Sequence, residues 1–235
     1  MSMKRMRAAF CLLALFITVA ATRADDETKS AEYHIRLGTQ YYVKGQYDEA
    51  IKELDAAIRI EPKNALALSC RGAVWFTKKD YDRAITDLNE AIRLEPAKLS
   101  SGYSIRGAAW YMKKDYAKGV KDFDEAIRLN PKDVEALNSR AWASATCPQA
   151  KFRDRTKCFE CAKQACELDG WKNAFYLGTI AAAYADNGDF ENAVKWQRKA
   201  LEDKAYQKEC GEEGRKMLKL FEQGKPYREE DDGKK

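Results

Sequence analysis

Histidine, proline and long apolar runs are scarce in this sequence, and each shortage excludes a class of protein. The single histidine, His34, cannot supply both a catalytic base and the partner that orients it. Five prolines and 13 glycines among 235 residues argue against a low-complexity or disordered chain. No run reaches the roughly 18 apolar residues that a membrane-spanning helix requires, so we expect no transmembrane span.

Motifs of known catalytic chemistry are also missing. The sequence contains no Gly-x-Ser-x-Gly, no His-Glu-x-x-His and no glycine-rich phosphate loop. Acidic residues are numerous but scattered, so we expect no pair of them in an apolar setting. We therefore predict no catalytic residue, no cofactor and no enzymatic activity. His34 is interpreted as a packed, partly exposed ring.

The N-terminal residues 1–24 have the layout of a secretory signal peptide. Lys4, Arg5 and Arg7 precede an apolar run, and small residues follow it. Cleavage after Ala21 or Ala24 would satisfy the small-residue rule. The apolar run of 14 residues is short for the core of a bilayer, which disfavours an uncleaved anchor. We thus predict an exported protein, either periplasmic or secreted.

Removal of residues 1–24 nearly balances the charge of the chain. The full sequence has 42 basic and 37 acidic side chains, and the leader accounts for four basic residues and no acidic one. The remaining chain has a net charge of +1. So small a net positive charge does little to attract phosphate backbones to the surface, so we expect no nucleic-acid partner.

Similar residues recur along the chain at intervals of 34 or 35 positions. A period in this range indicates a stacked array of structural repeats. The aligned sets are Gly38, Gly72 and Gly107; Tyr41, Trp75 and Trp110; Ala50, Ala84 and Gly119; Leu54, Leu88 and Phe123; and Pro62, Pro96 and Pro131.

Each repeat contains two stretches with helical spacing. In the first copy His34, Leu37, Gly38 and Tyr41 fall at i, i+3, i+4 and i+7, and a second stripe surrounds Leu54. A lysine-containing break separates the stripes, and a proline follows the second one. Each repeat is therefore predicted to be one helical hairpin.

These residues resemble the tetratricopeptide repeat, whose helix pair carries Trp-x2-Leu-Gly-x2-Tyr, then Ala-x3-Phe, then Pro. His34-x2-Leu37-Gly38-x2-Tyr41, Ala50-x3-Leu54 and Pro62 supply the first copy. The resemblance covers residues 31–205 and implies an all-α, right-handed superhelical solenoid. The predicted hairpins are residues 31–64, 65–98, 100–133, 134–172 and 174–205.

The later part of the chain departs from this pattern. About five residues are added to the fourth hairpin, and they fall between Thr146 and Asp154. We therefore predict an enlarged turn there. Residues 206–224 have apolar side chains at helical spacing among charges and are predicted to form a C-terminal capping helix. Residues 225–235 are predicted to be a disordered charged tail.

Six cysteines remain beyond the leader, and three interpretations of them stay open. Cys158 aligns with Ala50 and Ala84, which favours buried thiols in tight helix contacts. A structural disulfide that involves Cys147 is the second interpretation, given an oxidising compartment. The third is a redox or metal site at Cys158 and Cys161, although no second Cys-x-x-Cys completes a zinc set.

An arginine recurs one helical turn before the aligned aromatic residues, as Arg71, Arg106 and Arg140. These arginines could form an anion-binding ladder. Asp87 and Asp122, however, follow Arg71 and Arg106 at a constant interval of 16 residues. We therefore favour an ion pair inside each hairpin.

The resemblance implies that the first helix of each hairpin lines a concave groove. In that groove Tyr42, Phe76 and Tyr111 would form an aromatic row beside small residues, which leaves shallow pockets for a partner's side chains. Packing of this row against the next repeat is the alternative. Trp75 and Trp110 are predicted to face the core. The predicted partner-binding residues are Ile35, Thr39, Tyr42, Ser69, Phe76, Ser104, Tyr111, Asn138 and Trp142.

The sequence thus predicts an exported scaffold or adaptor that holds a peptide or helix of a protein partner. A thiol-based redox or metal-binding protein on the same helical array, using Cys158 and Cys161, is the alternative function. The oligomeric state and the partner's identity are not encoded in any pattern we find.

Overall fold

The structure is a computed structural model that describes residues 30–230. Within this range the chain forms eleven α-helices, one short 3-10 helix and no strand, which confirms the predicted all-α fold class. The predicted signal peptide, residues 1–24, lies outside the described residues. The helices are α1 Ala31–Val43, α2 Tyr47–Ile60, α3 Ala65–Thr77, α4 Tyr81–Leu94, α5 Ser100–Met112, α6 Tyr116–Leu129, α7 Val134–Thr146, α8 Arg155–Asp169, α9 Ala174–Asp186, α10 Phe190–Ala200 and α11 Lys204–Glu222.

The helices begin and end where the sequence supplies caps and prolines. Ser30 Oγ accepts a hydrogen bond from Tyr33 N at 3.1 Å, and Asn64 Oδ1 accepts one from Ala67 N at 2.9 Å. Such caps satisfy backbone donors that have no partner in the first turn of a helix. Helices α2, α4 and α6 each end two residues before one of the repeated prolines. These three helices therefore end where the repeated prolines predicted.

Close contact between the two helices of a hairpin depends on glycine. A Cβ atom on Gly38 would lie 2.8 Å from Leu54 Cγ, and one on Gly72 would lie 2.8 Å from Leu88 Cγ. A larger residue would force the leucine side chain of the neighbouring helix to move. Leu54 and Leu88 are fully buried in these contacts. The repeated glycines therefore mark the point where the helices of each hairpin approach each other most closely.

The turn inside each early hairpin contains one residue with left-handed backbone. Gly45 has φ 76°, Lys79 has φ 65° and Lys114 has φ 66°. Glycine adopts this conformation without steric cost, whereas a lysine has a Cβ atom that disfavours it. Two of the three turns are therefore closed by a strained residue.

The described chain divides into two compact units, residues 30–129 and residues 130–230. The first unit contains three hairpins, formed by α1 to α6. Its second and third hairpins share an apolar cluster of Ala65, Leu68, Ala91, Ile92 and Leu99. Burial of these side chains removes apolar surface from water and holds neighbouring repeats together.

The second unit contains two hairpins and a final helix. Residues 147–154 join α7 to α8 and include the 3-10 helix Ala150–Phe152, at the position of the predicted enlarged turn. Helix α11 packs on α10 through Met217 and Phe221, each 1% exposed. Gln197 of α10, also buried, donates through Nε2 to Gly214 O at 3.0 Å.

The segment after α11 differs from the expected disordered tail. Tyr227 is only 6% exposed. Glu229 N donates a hydrogen bond to Thr146 O at 2.9 Å. The expectation of disorder therefore does not hold for residues 225–230, because an aromatic ring and a backbone hydrogen bond attach this segment to α7. Residues 231–235 lie outside the described part of the chain.

Candidate functional site

The residues predicted to line the groove lie on the first helices of the hairpins, and all are largely buried. Seven belong to α1, α3 and α5 of the first unit, and two belong to α7 of the second unit. None is more than 8% exposed. The set is Ile35, Thr39, Tyr42, Ser69, Phe76, Ser104, Tyr111, Asn138 and Trp142.

Each ring of the predicted aromatic row packs across the turn of its own hairpin. Tyr42 Oη also lies 2.9 Å from Thr77 Oγ1 of the following repeat. These contacts fix the orientation of the rings, and partner binding by them stays a prediction. The ring pairs and centroid distances are Tyr42 and Tyr47 at 5.8 Å, Phe76 and Tyr81 at 5.7 Å, and Tyr111 and Tyr116 at 5.0 Å.

Trp75 and Trp110 differ from the expectation that they face the core. Both are only partly buried, whereas the neighbouring Phe76 is 2% exposed. The Arg83 guanidinium lies 3.7 Å from the centre of the Trp75 ring, and Lys118 Nζ lies 4.2 Å from that of Trp110. A cation over an indole face is attracted by the ring's negative potential. The indoles therefore lie at the edge of the core under charged side chains.

The arginine interval correctly predicted an ion pair inside each of two hairpins. Arg71 Nε and Nη2 donate to the two carboxylate oxygens of Asp87, both at 2.8 Å. Its Nη1 also donates to Asp55 Oδ1 of the preceding hairpin at 2.6 Å. The hydrogen bond that Arg71 donates to Asp87 is the main cause that raises the pKa of Arg71. Three of the five N–H donors of this guanidinium are therefore taken by protein carboxylates, which favours the structural role over an anion-binding ladder.

Arg106 repeats this arrangement one hairpin later. It donates to both oxygens of Asp122 at 2.8 Å, and its Nη1 donates to Asn89 Oδ1 at 2.8 Å. Each arginine thus joins the second helix of its own hairpin to that of the preceding hairpin. The link to the preceding hairpin was not predicted, because the expected ion pair lay within a single repeat.

Arg140 breaks the series. Its Nη1 donates to Ser144 Oγ on the same helix. Cys161 stands in the place of Asp87 and Asp122, four residues before the aligned alanine. The aspartate that pairs with the arginine of the second and third hairpins is therefore absent from the fourth.

Trp142 is the predicted site residue with the most informative contacts. Its Nε1 donates to Glu229 Oε1 at 2.8 Å, and its ring centre lies 6.0 Å from that of Tyr227. Arg228 donates through Nη1 to Ala145 O at 2.7 Å and through Nη2 to Asp186 Oδ1. The C-terminal segment therefore occupies the surface of α7 that the sequence assigned to a partner.

Sequence reasoning missed the residues that make this second-unit site. Asp186 ends α9, while Tyr227 and Arg228 lie in a charged stretch without periodicity. The only available signal was the aromatic Tyr227 among charged residues. An aromatic ring in such a stretch indicates a contact with the folded part of the chain.

The cysteines of the described region are thiols buried within the helical array, with no disulfide among them. Cys158 Sγ donates to Ala141 O at 3.4 Å, and burial raises its pKa. Burial also raises the pKa of Cys70 to about 12 and that of Cys166 to about 12. A protonated thiol is a poor nucleophile and a poor metal ligand. These surroundings favour the packing interpretation of Cys158.

Metal ligands are not clustered within residues 30–230. No group of three or more His, Cys, Asp or Glu side chains there is arranged to hold an ion. His34 Nδ1 instead lies 2.7 Å from Glu53 Oε2, with both side chains 20% exposed. This is the packed, partly exposed ring that the sequence indicated.

No helix within residues 30–230 is both long enough and apolar enough to cross a bilayer. An open depression of about 1000 Å³ lies on α2 of the first unit. It is lined by charged side chains, including the paired Asp55 and Arg71, and by the apolar Ile51, Ile58 and Pro62.

Comparison with protein families identifies the repeats. The profile described as "TPR repeat" matches residues 38–79. Profiles described as "Tetratricopeptide repeat" match residues 65–98 and 176–202. The matches fall in both units and agree with the hairpins α1 to α4 and α9 to α10. Comparison of the sequence with curated proteins found no match.

Several solved structures have a similar fold. The TPR protein TTC0263 of Thermus thermophilus is 21% identical with a TM-score of 0.63, over 81% of this chain and 100% of that one. MamA of Desulfovibrio magneticus RS-1 is 19% identical with a TM-score of 0.58, over 77% of this chain and 96% of that one. YrrB, described as a TPR protein with an unusual peptide-binding site, is 17% identical with a TM-score of 0.55, over 83% and 92%. The chain therefore contains tetratricopeptide repeats arranged as an all-α helical-repeat solenoid.

Proposed function

We propose that this chain is an exported scaffold or adaptor that binds a protein partner along the first helices of its repeats. The observation that carries the proposal is the recurrence of one side-chain row in successive tetratricopeptide hairpins. Stacked repeats create a continuous surface, and an extended segment or a helix can contact several of them. The description of YrrB as peptide-binding supports the same use of this fold.

In the first unit, the proposed contacts come from α1, α3 and α5. The buried rings of Tyr42, Phe76 and Tyr111 form the base of this surface, and Thr39 and Ser69 lie on the same helices as small polar groups. Apolar side chains that the partner packs over this base would carry most of the free energy of the interface. A partner with apolar side chains at repeated spacing fits this row.

Site-specific photo-crosslinking tests the proposed surface. A photoreactive phenylalanine analogue replaces Tyr42 on α1, and in a matched control it replaces the exposed Lys52 on α2. We expect one discrete partner adduct at Tyr42 and none at Lys52 when the protein is irradiated in its native cell envelope fraction. Equal labelling from both positions would contradict binding along the first helices.

Export is the second part of the proposal, and it rests on the basic, apolar and small-residue segments of residues 1–24. Intact-mass measurement of the protein recovered from its native compartment tests it. We expect a mature chain that begins at Thr22 or Asp25. An unprocessed chain recovered from the cytoplasm would contradict export.

A further inference from the structure

The segment Tyr227–Glu230 makes the contacts of a bound peptide. Its backbone donates to Thr146 O at 2.9 Å, as an extended ligand would. Tyr227 contacts the Trp142 ring, and Arg228 forms an ion pair with Asp186. Glu229 accepts a hydrogen bond from Trp142 Nε1. Main-chain bonds combined with side-chain contacts are the usual basis of peptide recognition.

The carboxylate of Asp186 makes this surface selective. Its side chain is 2% exposed, and a buried carboxylate requires a cation or several donors. Arg228 supplies that cation. Arg155 is 71% exposed, and its Nε lies 3.8 Å from Asp186 Oδ2, which is beyond hydrogen-bond distance. Any segment that replaces Arg228 must therefore place a cation against Asp186.

Asn138 provides an independent indication that the surface extends beyond the tail. It precedes Trp142 by one helical turn and lies on the same face of α7. Its side chain is fully buried, yet neither Oδ1 nor Nδ2 has a hydrogen-bond partner within residues 30–230. An orphaned buried amide costs stability unless a ligand satisfies it.

We propose that the α7–α9 surface is a binding site for an extended peptide with an aromatic–arginine–acidic sequence, and that Tyr227–Glu230 occupies it as a competing intramolecular ligand. The aromatic ring binds beside Trp142, the arginine pairs with Asp186, and the acidic side chain accepts from Trp142 Nε1. This inference deepens the proposed function, on which it rests, by assigning the partner's chemistry in the second unit.

The tail can act as a gate because it is tethered. A ligand joined to its site by a short linker has an effective concentration on the order of millimolar. A free peptide with micromolar affinity therefore occupies the site appreciably only when the tail has left it. The outermost contact of the segment, between Lys216 and Glu230, is largely exposed to water and contributes little to holding it.

Fluorescence polarisation with a labelled peptide of residues 224–230, blocked at both ends, tests the inference. The peptide is titrated against the full chain and against a chain that ends at Gln223, with helicity checked by circular dichroism. We expect the shortened chain to bind at least tenfold more tightly, because the tethered competitor is gone. The full-length Arg228→Ala variant keeps the tail but loses the ion pair, and it should also bind the peptide more tightly than the unchanged full chain.

Matched variants separate specific recognition from charge attraction. In the peptide, Arg228→Ala should weaken binding at least tenfold, whereas Glu230→Gln should change it less than about twofold. In the shortened chain, Asp186→Asn should abolish binding, and Glu191→Gln, at an exposed position of α10, should leave it unchanged.

Two results would overturn the inference. The first is equal peptide affinity of the full chain, the shortened chain and the Arg228→Ala variant. The second is an Arg228→Ala peptide that binds as well as the original. A partner adduct at Tyr42 alongside either result would leave the proposed function intact. Conversely, competitive peptide binding without any adduct at Tyr42 would support the inference and contradict the proposed function.

Discussion

Neighbouring aromatic residues in the first unit have different surroundings at the residue scale. Phe76 is 2% exposed and packs on Tyr81, whereas Trp75 is partly exposed beneath Arg83. Helical periodicity predicted two adjacent stripes, but it could not rank their burial. Which ring is more buried depends on the side chains that cover it, and a local sequence pattern does not contain this information.

The first prediction concerns this pair. Phe76→Ala should reduce the free energy of unfolding by about 3–5 kcal/mol, because it removes a fully buried ring. Trp75→Ala should cost about 1–2 kcal/mol, since it loses partial burial and one cation–ring contact. Guanidinium denaturation of both variants measures the difference. A Trp75→Ala variant that is destabilised as much as Phe76→Ala would show that the indole is the main core residue.

The second prediction concerns the buried thiols. Burial raises the pKa of Cys70 from 9.0 to about 12, so the folded state holds this proton more tightly than the unfolded state. Stability should be complete below about pH 9 and should fall as the pH rises towards 12, because the unfolded thiol then ionises first. Chemical denaturation from pH 7 to pH 11 measures this trend, and Cys70→Ala should reduce its slope.

Thiol reactivity provides an independent measurement. At pH 8 a disulfide reagent should modify the cysteines of residues 30–230 slowly in the folded chain and rapidly in guanidinium. Rapid modification of the native protein at Cys158 would support the redox alternative instead.

At the scale of helices and turns, the sequence predicted best those features that a single residue or a local spacing determines. The repeated prolines located the ends of α2, α4 and α6, and the repeat interval located the long turn after α7. The contact between Arg228 and Asp186 could not be predicted, because it joins distant segments that share no period. Charge content alone suggested disorder for a segment that tertiary contacts hold in place.

The third prediction concerns the strained turns. Lys79→Gly should stabilise the chain by about 0.5–1 kcal/mol, because glycine adopts the left-handed backbone without a Cβ clash. Lys114→Gly should have a similar effect at φ 66°. Lys44→Gly is the control, since Lys44 has φ −77° and gains nothing from glycine. Thermal melts compare the three, and destabilisation by Lys79→Gly would indicate that its side chain matters more than its backbone.

At the scale of the whole molecule, the array needs a polar-backed final helix. The sequence predicted a cap at residues 206–224, and the structure places α11 at Lys204–Glu222. Tyr206, Met217 and Phe221 on its inner face are buried, and Gln197 Nε2 donates a hydrogen bond to Gly214 O. The polar replacement at Gln197 had no explanation in the sequence, because its partner lies on a helix outside the repeat.

The fourth prediction is that a chain ending at Asp203 melts at a lower temperature and aggregates. Removal of α11 exposes the apolar face of α10 and leaves Gln197 without its acceptor. Light scattering during a thermal melt measures both effects. The chain ending at Gln223 is the control, because it lacks only the tail and should remain soluble. Equal solubility of both truncated chains would show that α11 is dispensable.

Arg71 and Arg106 each bind two successive hairpins, and this pairing lets the first unit lose one whole repeat. Each arginine binds an aspartate of its own hairpin and an oxygen acceptor of the hairpin before it. Excision of residues 65–98 would bring Arg106 opposite Asp55, which takes the place of Asn89. The shortened chain would thus keep a complete set of ion pairs, so duplication and loss of this segment are changes that the arginine pairing permits.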